Sequence, residues 1–277
     1  MRHTHTLAHL TTSRLPRAPF QQAVWAWTPK ALEWTQTARY KDGSTDLLKS
    51  MPPLVFMPMP ASQSMGGPVL SVDWSQEYQE ILGFGGAFTE ASAYNWRSLT
   101  ADEQAEVIRL YFAAPSDGGH GYLLGRVPIN SCDFSPTSYN FDNATCDVHD
   151  GKCTSKDEGL EHFDDSVAHD VESGMIPMIQ AAQKLVEKRG LKLSLFASPW
   201  SPPPWMKLPV GGNRSMLLSA SPNGLDPAMQ RPWAKYFSRW ISAYKKQGID
   251  IWGVTVQNEP EAAVGWEACL WTPAFMA

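Results

Sequence analysis

The 277-residue sequence predicts an α/β fold in which a parallel sheet is covered by helices. Three observations carry that expectation. Four short apolar runs alternate with three segments whose apolar residues recur at helical spacing, the order that builds a parallel sheet. The fourth run, 249–256, is nearly continuous in apolar residues, as suits a strand covered on both faces. Thr272-Pro273, a capping residue followed by proline, then opens a fourth helix.

The elements follow in order. Residues 1–20 are an unassigned tail, basic but without the apolar segment of a signal peptide. In 21–75, short apolar or aromatic runs (24–27, 54–57, 69–73) alternate with Pro, Gly and Ser, giving strands of a small β side domain. The α/β domain occupies 76–277. Its first strand is expected at 80–86, where Gly85-Gly86 allows a tight turn or close approach by another backbone. Gly83, Gly85 and Gly86 do not have the G-x-G-x-x-G spacing of a dinucleotide site. Thr100 and Glu103 form a capping box for a helix with Ala105, Ile108 and Phe112 on one side. The second strand, 122–129, contains Arg126, a charge that must pair if it is buried, either structurally or with a carboxylate at the mouth of the sheet.

A polar loop over 131–166 leads to a helix with Pro177 in its first turn, Met178, Ile179, Ala182, Leu185 and Val186 on one side, and Gly190 stopping it. Leu191, Leu193 and Leu195 then alternate through a third strand that ends at Trp200. After a proline-rich loop, Pro232 starts a helix whose Trp233, Phe237, Trp240, Ile241 and Tyr244 fall at helical spacing, which favours core packing over ligand stacking. The fourth strand gives out before Pro260, which cannot continue a ladder, and leaves Asn258 and Glu259 at its carboxyl end. Parallel folds place chemistry at that end, although an ordinary exit into a solvated loop has the same pattern. Because a domain seldom ends within one turn of a helix, the expected reading is the amino-terminal part of a longer fold.

The bulk composition narrows the function. A formal charge of -5 without a basic block argues against a nucleic-acid surface. No apolar run is long enough to span a bilayer. Twelve Trp, eight Tyr and eleven Phe are a heavy aromatic load, part of it core, and flat aromatic faces also suit the apolar faces of sugars. Cys132, Cys146, Cys153 and Cys269 lack any C-x2-C pair, so no zinc site is expected. Cys146 and Cys153 bracket a polar loop that can close as a disulfide, and Asn143 and Asn213 begin glycosylation triplets. Both features point to an oxidising, secretory route, which the missing signal peptide opposes.

Four motifs then converge. Residues 83–91 (GFGGAFTEA), 126–135 (RVPINSCDFS), 197–207 (ASPWSPPPWMK) and 257–260 (QNEP) resemble, in order, those of glycoside hydrolase family 30, and within it the glucosylceramidase type. The resemblance runs from about residue 24 onward. It implies a (β/α)8 TIM barrel, here about its first four β/α units. It implies that Glu259 is the general acid/base and Asn258 the neighbouring amide that contacts the sugar. Asp133 would bind glucose hydroxyls, Trp200 would be an aromatic wall, and Arg126 would lie near the catalytic carboxylates. It also implies a retaining mechanism, in which two carboxyl groups about 5 Å apart protonate the leaving group and form a glycosyl-enzyme. The family's nucleophile is a Glu on the seventh strand, absent from this chain, so the chain alone is expected to be inactive and to present unpaired strand edges.

The resemblance further implies a β-glucoside or glycosphingolipid substrate, no metal or organic cofactor, a lysosomal or secreted location, and a saposin-like activator at a membrane surface. Two rival readings stand beside it: a family 30 polysaccharidase of the β-1,6-glucanase or xylanase type, and a non-catalytic sugar- or lipid-binding remnant.

Overall fold

The computed structural model describes residues 31–32, 34–55, 73, 75–142 and 156–276. Cys146, Cys153 and Asn143 lie outside the described residues. The chain divides into two compact units, Met1–Tyr78 and Gln79–Ala277. The first contains β1 (Ala31–Leu32), β2 (Thr35–Arg39), β3 (Thr45–Ser50) and β4 (Leu54–Val55). β1 pairs antiparallel with β4, and β2 with β3. The β2–β3 turn is closed by Asp42, whose carboxylate accepts from the Ser44 amide at 3.0 Å.

In the second unit the expected alternation is realised. β5 (Gly85–Ala87) is followed by α1 (Glu90–Arg97) and α2 (Ala101–Phe112), then β6 (Leu124–Ile129). Next come α3 (Ala168–Ser173), α4 (Met175–Lys188), β7 (Ser194–Pro199), α5 (Gln230–Lys246), β8 (Ile251–Val254) and α6 (Pro273–Met276). The four strands form one parallel sheet in the order β5-β6-β7-β8, as a (β/α) barrel segment requires. Both halves of the Thr100–Glu103 capping box are formed. Val127, Ile129, Leu195 and Ala197 point from the sheet into a core shared with Ile176, Ile179 and Val186 of α4 and Tyr236, Trp240 and Tyr244 of α5, all fully or almost fully buried. The aromatic row of α5 is therefore core.

The expected strand bounds need correction, and β6 and β7 begin at Leu124 and Ser194 rather than at 122 and 191. β5 begins at Gly85 rather than at residue 80, and β8 ends at Val254 rather than running on to residue 256. β8 is also not covered on both faces: Trp252, Val254 and Val256 are 67%, 46% and 47% exposed. The physical reason is position, because β8 is the edge of the sheet and no described strand pairs with its outer side. Two helices were not expected from the sequence, α1 and α3.

A buried polar cluster joins α1, α3, α5 and the loop after β6. Glu90 and His169 meet at 2.8 Å, and the Tyr139 ring stacks on His169 with centroids 3.5 Å apart. Tyr139 donates to Asp170 Oδ1 at 2.9 Å, and the Tyr244 hydroxyl donates to Oδ2. Burial pushes the Asp170 carboxyl up to about 6, against the hydrogen bonds from Tyr244 and Tyr139. Burial likewise raises Asp142 to about 6. Burial alone would lower His169, but its hydrogen bond to Glu90 and the charges of Glu90, Asp170 and Glu172 raise it.

These shifts agree in sign. A carboxyl raised in the fold contributes stability that is full below its unfolded value and is lost as pH rises to about 6. A raised histidine contributes stability that is full below its unfolded value and is lost as pH rises through its folded value. The thermal unfolding midpoint is therefore expected to be higher at about pH 5 than at about pH 7.5, and His169→Gln is expected to shrink the difference. A melting curve at the two pH values checks this.

Candidate active site

The sheet's carboxyl edge collects the polar residues that the strands carry to their ends. Register places Ala87, Arg126 and Phe196 side by side on adjacent strands. Gly125, Val127 and Ile129 are buried, and Arg126 projects from the other face. There its guanidinium donates from Nη2 to Asn258 Oδ1 at 2.7 Å and from Nε to Ser198 Oγ at 3.1 Å. It also lies over the Trp200 ring, 4.6 Å from the centroid, and 6.0 Å from that of Phe196. Burial pulls the Arg126 guanidinium below its ordinary value, while Cys132, Asp133 and Glu259 each act to favour the cation. Arg126 thus pairs directly with an amide and a hydroxyl, and with the two carboxylates only through their field.

Around this cation, Thr255 donates to Ser198 Oγ at 2.7 Å, and the Asn258 amide donates to the Pro199 carbonyl at 2.8 Å. Gln257 Nε2 reaches the Trp200 carbonyl at 2.7 Å, which ties the end of β8 to the segment after β7. Asn130, fully buried at the end of β6, accepts from Tyr236 and donates to the Ser201 carbonyl at 3.0 Å. The result is a connected rim in which Arg126, Trp200 and Asn258 are in contact, while Asp133 and Glu259 are exposed and flank the same cation. Trp200 is only 8% exposed, and Arg126 covers one of its faces.

Glu259 has a backbone feature that the sequence does not announce. Its φ is +43°, in the left-handed region that residues with a Cβ rarely adopt. Strain of this kind concentrates at functional sites, where the surrounding structure holds it in place. The Pro199 carbonyl holds the preceding residue, and the Glu259 carbonyl accepts from the Ala262 amide at 2.9 Å. Glu259→Gly is accordingly expected to be more stable than Glu259→Ala by about 1 kcal/mol, the reverse of the usual glycine penalty. Urea unfolding of the two variants measures it.

Ser198, Thr255, Gln257 and Asn130 belong to the rim but were not singled out from the sequence. The usable signal was a polar residue near the carboxyl end of an otherwise apolar strand, the pattern that marked Arg126. Asn213 is exposed, in a turn where its amide donates to the Val210 carbonyl at 3.1 Å, so its glycosylation triplet is accessible. Cys132 and Cys269 are buried free thiols. Among the described residues no group of three or more His, Cys, Asp or Glu is placed to hold a metal ion, and no helix is long and apolar enough to cross a membrane.

Comparison with known proteins agrees with this architecture. The chain is 38% identical over 196 residues to Putative glucosylceramidase 4 of Caenorhabditis elegans, covering 70% of this chain and 33% of that protein. It is 33% identical over 204 residues to Lysosomal acid glucosylceramidase of Mus musculus, covering 74% of this chain and 36% of that protein. The solved endo-beta1,6-glucanase BT3312 superposes with a TM-score of 0.58 at 25% identity, covering 74% of this chain and 40% of that one. The chain thus spans about a third of the length of the curated relatives it matches. Residues 81–276 match the model of the glycosyl hydrolase family 30 TIM-barrel domain, and the chain belongs to that family.

Proposed function

We propose that this chain supplies the first four β/α units and the general acid/base of a retaining β-glucosidase of the glucosylceramidase type, which cleaves glucosylceramide to glucose and ceramide. The observation that carries the reading is the Arg126–Asn258–Trp200 rim beside a strained, exposed Glu259 at the carboxyl end of a parallel strand. An exposed carboxyl is free to give a proton to a leaving oxygen and take one from water. The neighbouring Asn258 Nδ2 remains available to a sugar hydroxyl, because Arg126 occupies only its Oδ1. A second carboxyl about 5 Å from Glu259 is needed to form the glycosyl-enzyme. We assign that nucleophile to a segment outside residues 1–277, and the chain alone therefore turns over no glycoside. Identity to glucosylceramidases over about 70% of the chain supports the substrate class.

The relatives named glucosylceramidases, one of them lysosomal, together with the acid-favouring titrations of His169, Asp142 and Asp170, support an acidic compartment. A membrane-bound glycolipid presented with a saposin-like activator fits the same reading. The similarity to an endo-beta1,6-glucanase favours one alternative, a family 30 polysaccharidase. Supplying the longer protein with glucosylceramide in detergent micelles and with β-1,6-linked gluco-oligosaccharides separates the two. Release of ceramide is the expected result, and cleavage confined to the oligosaccharides replaces the glucosylceramidase reading with the alternative.

A further inference from the structure

Among the described residues Lys207 is the one fully buried lysine, with 0% exposure. Burying a charged amine is costly unless hydrogen bonds replace its water. Here three acceptors do so: Ser201 Oγ at 2.9 Å, the Met216 carbonyl at 3.1 Å and the Ala268 carbonyl at 2.6 Å. These three lie on different stretches of chain. Ser201 directly follows Trp200, Met216 lies further along the β7–α5 connection, and Ala268 lies in the loop that carries Glu259. The Met216 carbonyl also accepts from the Ala268 amide at 3.1 Å, which closes a small network around the ammonium.

The network reaches the third site loop. Glu267, next to Ala268, accepts from Ser138 Oγ at 2.6 Å, and Ser138 lies on the loop after β6 that bears Asp133. Residues 255–272 contain no helix or strand, and 207–226 contain only isolated bridges, so these loops have little regular backbone pairing to fix them. Burial lowers the Lys207 ammonium to about 8, with Cys269 and Glu267 opposing the shift, so it carries its charge at acidic pH.

We propose that Lys207 is a positioning residue, an ammonium pin that fixes the loops carrying Asp133, Trp200 and Glu259 relative to one another without touching substrate. Its role in sugar binding rests on the glycosidase reading above, whereas the pin itself does not. Lys207→Met removes all three donors at nearly constant volume, and Lys207→Arg keeps the charge. The chain labelled with fluorotryptophan gives a fluorine NMR resonance for Trp200, assigned by its loss in Trp200→Phe. Without ligand, Lys207→Met is expected to broaden or shift that resonance, and Lys207→Arg to restore it in part. An unchanged resonance in a folded Lys207→Met overturns the pin.

If Lys207→Met does not fold, Ser201→Ala removes a single acceptor, and an unmoved Trp200 resonance in that variant overturns the pin equally. Adding the glucose-shaped iminosugar deoxynojirimycin tests the other layer. In the wild type it is expected to shift Trp200, and Ser201→Ala is expected to weaken that binding by about tenfold, the loss typical of one charge-assisted hydrogen bond. No shift in the wild type counts against the sugar-site reading and leaves the pin to the ligand-free spectra. Binding of equal strength in the wild type and in a folded Lys207→Met overturns the positioning role.

Discussion

Glu259→Gln in the longer protein is expected to lower turnover of a β-glucoside with an alkyl leaving group by about 10³-fold, the scale of general acid–base catalysis, with little change in substrate affinity. The amide keeps the size and most of the hydrogen-bonding capacity of the carboxyl group but cannot pass a proton. Glycosyl transfer to the nucleophile then has to expel an unprotonated alkoxide, and water must attack the glycosyl-enzyme without a base. A phenolic leaving group of low basicity leaves readily unprotonated, so for such a substrate the first step is expected to recover and the second to become limiting. Azide, an anion that needs no deprotonation, is then expected to raise the rate and yield a glycosyl azide. A uniform loss for both leaving groups, without azide rescue, assigns Glu259 to folding or binding rather than to proton transfer. The left-handed backbone at Glu259 is the reason to include Glu259→Asp, which moves the carboxyl while keeping its charge.

Gly85→Ala is the substitution with the largest expected structural effect. A Cβ at residue 85 stands 1.8 Å from the Leu124 carbonyl oxygen and 2.4 Å from its carbon. Those are backbone atoms of β6, so no side-chain rotation relieves the clash, and the strand must move out of its pairing. The expected cost is on the order of 3 kcal/mol, with loss of amide protection in β5. The adjacent Gly86 is the internal control. Its Cβ meets only Tyr122 Cε2, at 3.7 Å, an ordinary contact, so Gly86→Ala is expected to change stability by less than about 0.5 kcal/mol. Equal effects at the two positions contradict this account of the glycine pair.

The close approach at Gly85 was legible as a possibility in the sequence, because a double glycine at a strand has few other uses. The strand and helix order was legible for a related reason: the apolar periods of α2, α4 and α5 are long and the punctuation by Pro, Gly and capping residues is unambiguous. α1 was not, since in Glu90–Arg97 only Glu90 and Ala93 are buried and no apolar period is present. Its one local signal is Thr89, which accepts from the Ser92 amide and caps the helix. The six-residue α3 is too short for a period to show. The extent of β8 was overread because an apolar run does not reveal whether neighbours cover it, and Trp252 is 67% exposed.

At the site, Arg126 could be picked out because a cation inside an apolar strand needs a partner, and Asn258 proved to be that partner. Which hydroxyls complete the rim could not be read, since Ser198 and Thr255 are common strand residues and their 2.7 Å contact depends on the β7–β8 register. Lys207 closes the 197–207 motif with nothing in the sequence to set it apart. A lysine is ordinarily solvated, and only the fold shows that three separated acceptors converge on it. The positive φ of Glu259 was equally hidden, because neither glycine nor asparagine marks the position.

We propose that this chain holds the proton-transfer half of a glycosidase and that the nucleophile lies on a segment outside it. The most direct measurement is hydrolysis of a fluorogenic β-glucoside at mildly acidic pH by the 277-residue chain and by the protein extended through the downstream coding sequence, each with and without Glu259→Gln. The predicted result is turnover by the extended protein alone, lost on Glu259→Gln. Turnover by the 277-residue chain that the same substitution abolishes would show that both carboxyl groups already lie within it, and would contradict the claim.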